Sequence, residues 1–447
     1  MDSRADDKTI GAWLAEFEGW SRERPSGDPG FLTELRRRAI DRFGETGFPT
    51  TRDEEWRFTS LAPITSTEFT RATPIHNGVD PIHVGTFSYV DYTQLVFING
   101  HYSREYSTFY ELPDEAIICS MAEAREAHPE LLEEHYGRYA RFHDQAFAAL
   151  NTAFSEDGAF IHIARGGVLR EPIHLLFLAT DGEKPLVSYP RNLIVLEENT
   201  QATVVETYAG PPDTVYLTCP LTELAVGDYA ILEHYKIQQE GLQAFHMANQ
   251  HLHMGRSSTA DSQNIALGGG LVRNEVVARL DDEGGDCTLN GLYITRGNQL
   301  VDNHMLVEHV KPNCRSYELY KGILDEESRA VFNGLIHVHP GAQKTDGVQS
   351  NRNLLLSDKA LVNTNPQLLI FADDVRCTHG STVGELDRDA LFYLRSRGIG
   401  EDAAQSLLIY AFASEFVEKI RFEPIRRDLE EFLFTRLPKG EIVRQAV

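Results

Sequence analysis

Arg329-Ala-Val-Phe-Asn-Gly-Leu-Ile-His-Val338 carries the pattern on which the fold of this chain depends. Apolar and polar residues largely alternate along it, which is the period of a β-strand with one buried face. Similar runs occupy the chain from about Gly158 to Gly384, separated by Gly, Asn, Asp and Ser residues that favour turns. They predict strands of about four to seven residues with no helices between them, so an alternating strand and helix fold is not expected.

Two all-β architectures fit this pattern, a sandwich and a β-solenoid. The step Asn-Gly-Leu recurs at residues 290–292 and 333–335, and such recurrence favours a solenoid of repeated coils. A sandwich of this length would also be unusually large. The repeat is faint, so the choice stays open at this point.

Helical periodicity flanks the β region on both sides. Residues 9–43 predict two helices separated by Pro-Ser-Gly-Asp-Pro at 25–29, and residues after Asp387 predict several more, with a break at 398–400 and a last helix beginning at Pro424. We therefore predict three regions: 1–157, mixed and partly helical; 158–385, the β core; and 386–447, helical. The last region is either a docking surface for a partner or a cap that shields an edge of the β core.

Composition excludes several classes of protein. The chain has 42 Lys and Arg against 67 Asp and Glu, and the net charge of -25 opposes binding to nucleic acid or to anionic lipid. No signal-peptide core or long apolar run is present, so we expect a cytoplasmic protein that does not enter a membrane. The five cysteines are scattered without a CxxC step, which indicates neither a disulfide framework nor a zinc finger, and most are expected to be buried thiols.

Motifs for common enzyme chemistry are missing. The sequence has no phosphate-binding loop of the form GxxxxGK(S/T), no HExxH helix and no GxSxG elbow, and Gly268-Gly-Gly270 does not complete a dinucleotide fingerprint. We therefore expect a chain that is not an enzyme and binds no nucleotide.

Cys377 and His379 form a candidate metal site. They stand two residues apart on a predicted strand, so both side chains leave the same face. A thiol and an imidazole suit iron or zinc, but two ligands cannot complete a tetrahedral site, and the others must come from elsewhere in the fold or from a second chain. On residue types alone, a buried cysteine beside a hydrogen-bonded histidine is the commoner arrangement.

Other histidines are weaker candidates. His337 and His339 also share a strand face and could bind a metal, although strand histidines are more often simply exposed or hydrogen-bonded inside the fold. Two looser groups are still weaker candidates: His246, His251 and His253; and His304, Glu308 and His309.

Several motifs resemble those of the SufB/SufD family of iron-sulfur cluster assembly proteins. The matching segments are residues 373–384, residues 391–399 (Leu-Phe-Tyr-Leu-Arg-Ser-Arg-Gly-Ile) and residues 404–420, with further likeness at 290–293, 302–304 and 346–357. Residues 53–61 (Asp-Glu-Glu-Trp-Arg-Phe-Thr-Ser-Leu) look like the motif that opens the folded region of the SufD branch, and residues 148–154 fit the approach to its β domain.

The resemblance implies a right-handed parallel β-helix core flanked by N- and C-terminal helical domains. It also implies a cytoplasmic complex in which a SufD-like chain pairs with SufB, binds the SufC ATPase through its C-terminal helices, and supports cluster assembly and iron acquisition. His379 is then the leading ligand for iron or a nascent cluster at the interface with SufB, and Cys377 is its neighbour. Arg395 and Arg397 are the implied SufC contacts, whereas Phe392 and Leu394 are expected in the core.

Three alternatives remain at this stage. The chain could be a SufB-type scaffold that accepts sulfur, or a β-helix enzyme acting on acidic polysaccharide. A homodimer could also form the same kind of interface without building a cluster. No motif supports a flavin site.

Overall fold

A computed structural model describes residues 3–23, 28–74, 81–89 and 91–446. Two long helices open the chain as predicted, although residues 25–27 of the predicted break lie outside the described residues. The helices before the core are α1 (Ser3–Glu23), α2 (Gly30–Thr46), a 3-10 helix (Glu54–Trp56), α3 (Ala62–Thr65), α4 (Pro81–Thr86), α5 (Met121–Ala127), α6 (Pro129–His135) and α7 (Ala146–Phe154).

Short strands accompany these helices, and a continuous series of strands follows them. The first strands are β1 (Thr70–Arg71), β2 (Thr93–Ile98), β3 (His101–Tyr102) and β4 (Ala116–Ser120). The core strands are β5 (Ala159–Ile163), β6 (Ile173–Leu178), β7 (Leu186–Ser188), β8 (Arg191–Leu196), β9 (Gln201–Ala209), β10 (Tyr216–Thr218), β11 (Leu221–Val226), β12 (Ile231–Gln239), β13 (Phe245–Met254), β14 (Thr259–Ala266), β15 (Leu271–Leu280), β16 (Asp286–Thr295), β17 (Leu300–His309), β18 (Arg315–Leu324), β19 (Arg329–Val338), β20 (Asp346–Leu355), β21 (Leu361–Ile370) and β22 (Arg376–Gly384).

The main strands of the core alternate between two parallel sheets. Sheet A runs in the order β21-β19-β17-β15-β13-β11-β8-β5, and sheet B runs in the order β22-β20-β18-β16-β14-β12-β9-β6-β2. Each main strand from β11 onward pairs in parallel with the next strand of its own sheet, one coil further along the chain. The chain therefore winds as a β-solenoid of about 8 turns, which confirms the solenoid and excludes the sandwich.

The quoted stretch is strand β19, and its alternation follows from burial. Ala330, Phe332, Ile336 and Val338 are all fully buried inside the solenoid. The strand is ten residues long, longer than the sequence predicts, because the Gly of the Asn-Gly-Leu step lies inside the strand and does not end it. At the equivalent Gly291, a Cβ would come within 2.2 Å of a ring carbon of Tyr320 on the neighbouring strand, so only glycine allows this close approach.

The C-terminal helices pack along the outer face of sheet B. They are α8 (Arg388–Ser396), α9 (Glu401–Val417), α10 (Glu423–Arg436) and α11 (Gly440–Ala446), so the prediction that the helix at Pro424 is the last one is wrong. Phe416 and Leu429 join Ile265 in one buried cluster, and Lys321 donates to Glu415 across the same contact at 2.6 Å. These helices cover the face of the solenoid and leave its final coil open.

The N-terminal helices pack against the other sheet. Phe17, Phe43 and Phe154 form a cluster with Tyr189, and this cluster reaches Met247 on sheet A. None of the described helices is long and apolar enough to cross a membrane.

Candidate functional site at the last coil

The last coil consists of strands β21 and β22, which are the outermost strands of sheets A and B. Within the described ranges each has a strand partner on one side only, so its other edge presents unpaired backbone N–H and C=O groups. Leu361, Leu369, Phe371 and Val383 expose 42–55% of their surface along this coil. An open edge with large exposed apolar side chains is the kind of surface that binds another protein chain.

Cys377 and His379 both lie on strand β22, as the sequence predicts. They align with Gly347 and Gln349 of the preceding coil and share the face directed into the solenoid. Cys377 is half-buried beside Ile336, whereas His379 is exposed at the open end. Burial raises the pKa of the Cys377 thiol, so at neutral pH it carries its proton.

Within the described part of the chain, this pair does not converge with a third ligand. Among the residues that the structure describes, the only group of three or more metal-ligating side chains lies elsewhere, at Glu308, His337 and His339. Of the two sources of further ligands that the sequence allows, the described part of the chain supplies none, so a metal held by Cys377 and His379 would need ligands from a second molecule.

Helix α8 carries the residues predicted to contact a partner. Asp387 caps its start by accepting hydrogen bonds from the backbone N–H groups of residues 389 and 390. The Arg395 side chain is about half exposed and lies 3.5 Å from Glu401, and Arg397 stacks on the ring of Tyr393.

The prediction that Phe392 lies in the core is wrong, because its side chain is 73% exposed. Leu391 and Leu394 are half-buried on one side of α8, and Phe392 and Tyr393 project from the other. An apolar residue type cannot reveal which side of a short helix faces the fold. Phe392 instead adds to the exposed apolar surface that follows the last coil.

The segment at residues 53–61 is anchored to sheet A by a buried charged cluster. Arg273 donates to Asp302 at 2.5 Å and to the backbone oxygen of Glu55 at 2.9 Å, and its guanidinium lies 3.7 Å from the centre of the Trp56 ring. His304 lies between Glu55 and Asp302, at 2.9 and 3.0 Å from their carboxylate oxygens. A cavity of about 270 Å³ opens beside this cluster.

Charge pairing dominates the titration of this cluster. Burial opposes ionisation, but the charges of Arg273 and His304 lower the pKa of Asp302 to about 2. Burial likewise opposes protonation of His304, but the neighbouring Asp302 and Glu55 carboxylates raise its pKa to about 9. The sequence predicted no such cluster, since Glu55 and His304 are distant along the chain. His304 serves here as a cationic link between two carboxylates.

The remaining histidine groups do not converge. His246 lies 2.8 Å from Glu240 inside the solenoid, His253 lies 3.1 Å from Asp281 on the outer face, and His309 lies 2.9 Å from Ser316. Within the described ranges, His246, His251 and His253 form no three-ligand group. These histidines contact single local partners or, like His251, belong to no group of metal ligands among the described residues.

Comparison with known proteins covers nearly the whole chain. The family described as "SUF system FeS cluster assembly, SufBD core domain" matches residues 177–412, and the "SufBD protein N-terminal region" matches residues 22–175. The chain is 32% identical to the iron-sulfur cluster assembly protein SufD of Escherichia coli over 431 residues, 96% of each chain. It is 33% identical to an iron-sulfur cluster assembly SufBD family protein of Synechocystis over 92% of each chain. It is also 26% identical to the SufD protein of Bacillus subtilis, over 90% of this chain and 93% of that one.

Proposed function

Since the chain belongs to the SufBD family of iron-sulfur cluster assembly proteins, we propose that it is a SufD-like subunit that pairs with SufB and couples to the SufC ATPase. In this role it is a non-enzymatic component that supports cluster assembly and iron acquisition. It binds no nucleotide itself, and the iron or nascent cluster is a cargo held at its interface.

The observation that carries this proposal is the open last coil. Strands β21 and β22 are the outermost strands of the two sheets at the same end of the solenoid. The C-terminal helices pack on the outer face of sheet B and do not cover this end. A partner built on the same β-solenoid could set its own last coil against this one. SufB is the natural candidate, because the family model that matches this chain is shared by SufB and SufD.

We propose that His379 binds a metal at that interface. It is exposed at the open end and shares its strand face with the half-buried Cys377, so SufB would supply the remaining ligands. The cargo is then bound only while the two chains are paired, which is a useful property for a cluster that must be passed on.

The state of the cysteines favours the SufD branch over a sulfur-accepting scaffold. Burial raises the pKa of all five thiols, and that of Cys119 reaches about 12. The thiolate is the form that attacks a sulfur donor, and accepting cysteines have lowered pKa values. None of the five cysteines, all of which are described, has that character.

Coupling to SufC is proposed through helix α8 and the helices behind it. Phe392, Tyr393 and Arg395 form an exposed patch on α8. On the next helix, α9, Glu415 binds both Lys321 on β18 and Arg352 on β20. Motion of these helices, driven by ATP on the partner, would therefore reach the strands next to the last coil.

The test of this proposal is co-purification with SufB and SufC, comparing the wild type with His379→Ala. We expect the substituted complex to assemble but to lose most of its iron and acid-labile sulfide. Thr378→Ala, on the opposite face of the same strand, is the control and should keep its cluster. Normal cluster content with His379→Ala would refute the role of this residue, and failure of the wild type to associate with SufB would refute the pairing.

A further inference from the structure

The outer face of sheet A carries a second cluster of metal-binding side chains, formed by Glu308, His337 and His339. Glu308 on β17 and His337 on β19 are direct neighbours in the parallel register, and His339 follows one residue after β19 ends. One ligand atom from each residue lies within 4.8 Å of the other two. Three donors from two successive coils thus meet at one place.

The two imidazoles are available for coordination. Their rings stack with centroids 4.1 Å apart, and both are half-buried and reachable from solvent. Among the residues that the structure describes, neither ring nitrogen of His337 has a hydrogen-bond partner, and the ring packs against those of His339 and Phe371.

The carboxylate is held in a fixed orientation. Glu308 is almost fully buried, and its Oε2 accepts from Arg141 at 2.7 Å and from Arg279 at 3.4 Å. Its Oε1 is directed at His339, 3.3 Å from Nε2. Outer groups that orient a ligand in this way are typical of metal sites. The two guanidinium charges also oppose a cation, so the affinity should be moderate.

We propose that Glu308, His337 and His339 bind a divalent first-row transition metal ion. Two imidazoles and one carboxylate are a ligand set used for Zn²⁺ and for non-haem Fe²⁺, and such a set leaves coordination positions open for water or another ligand. The site lies on sheet A and uses neither Cys377 nor His379. It does not depend on pairing with SufB and stands apart from the proposed function.

The test uses the full-length chain carrying Cys377→Ser and His379→Ala, so that the last coil cannot contribute ligands. The metal-free protein is titrated with Zn²⁺ by calorimetry and with Co²⁺ by visible absorption. We expect one metal ion per chain and visible Co²⁺ bands from nitrogen and oxygen ligands. His337→Ala and His339→Ala should each weaken binding by at least about tenfold, since even an outer group can contribute that much.

His253→Ala is the matched control. His253 lies on the same outer face of sheet A, two strands from Glu308 and aligned with it through Arg279 on the strand between them. It pairs with Asp281 and lies outside the proposed ligand set. Its binding curve should equal that of the parent protein. Circular dichroism and thermal unfolding check that the variants remain folded. Absence of stoichiometric binding by the parent, or unchanged Co²⁺ bands in the double variant His337→Ala/His339→Ala, would overturn the proposal.

Discussion

The cluster of Glu55, Arg273, Asp302 and His304 joins the N-terminal segment to the β-solenoid through charges that are mostly buried. Isolated buried charges are costly, and these are tolerated because each one has a partner of opposite charge at hydrogen-bond distance. Asp302 serves both Arg273 and His304. The cluster therefore acts as a unit, and its stability depends on the charge of His304.

The pH dependence of stability should report this histidine. Its folded-state pKa of about 9 exceeds the ordinary value of 6.5, so its contribution is full below pH 6.5 and is lost as the pH rises through 9. We expect the free energy of unfolding to fall by roughly 3 kcal/mol over this interval from His304 alone. Urea unfolding at several pH values gives the free energy of unfolding of the wild type and of His304→Gln. The contribution of His304 is the difference between their two curves of free energy against pH. Parallel curves would show that His304 is not charged in the fold.

Helix α8 shows how an element can be amphipathic without having a buried core residue. It presents Phe392 and Tyr393 to solvent, at 73% and 56% exposure, while Leu391 and Leu394 are only half-buried. Exposed aromatic side chains next to arginine are enriched in protein interfaces. These exposed side chains support the proposed contact of this helix with SufC.

The expected consequence is a separation of binding from stability. Phe392→Ala should weaken SufC binding by about tenfold or more. The free energy of unfolding of the variant should differ from that of the wild type by no more than about 0.5 kcal/mol, as for other surface positions. Calorimetric titration with SufC and thermal unfolding measure the two effects. Phe58→Ala removes another exposed phenylalanine, 49% exposed in the N-terminal segment, and should leave SufC binding unchanged. If the Phe392→Ala variant bound SufC as tightly as the wild type does, helix α8 would be excluded from the contact with SufC.

In the molecule as a whole, the helices cover the two faces of the solenoid, and the last coil remains open. Of the two roles considered for the C-terminal helices, a cap over this edge does not fit their position, because they pack on the outer face of sheet B. Soluble proteins usually protect open strand edges with charged residues or covering segments. Here the edge is left apolar at Leu369 and Val383, which supports its use as an interface.

A lysine in this edge should prevent pairing and leave the chain folded. Val383→Lys places a charge at a side chain that is 46% exposed, and we expect association with SufB to weaken by at least about tenfold. Light scattering after size-exclusion chromatography measures the association with SufB. The same experiment on the chain alone detects a homodimer. Ile231→Lys, at a 44% exposed position several coils away, is the control. Undiminished pairing would place the interface elsewhere.

Local patterns accounted for much of the fold and of the candidate site. Side-chain alternation is a property of each strand, so β19 and the shared face of Cys377 and His379 followed directly from spacing. The breaks between helices followed from Gly and Pro, and the motifs at residues 373–399 indicated the family. Each of these features depends on residues a few positions apart.

Contacts between coils were decided only in three dimensions. Glu308 meets His337 because two strands one coil apart share a register, and Glu55 meets His304 because a distant segment folds back onto sheet A. The exposure of Phe392 and the open edge at Val383 depend on where the C-terminal helices pack. The physical reason is the same in each case: burial and ligand geometry depend on the path of the whole chain, whereas strand periodicity depends on neighbouring residues alone.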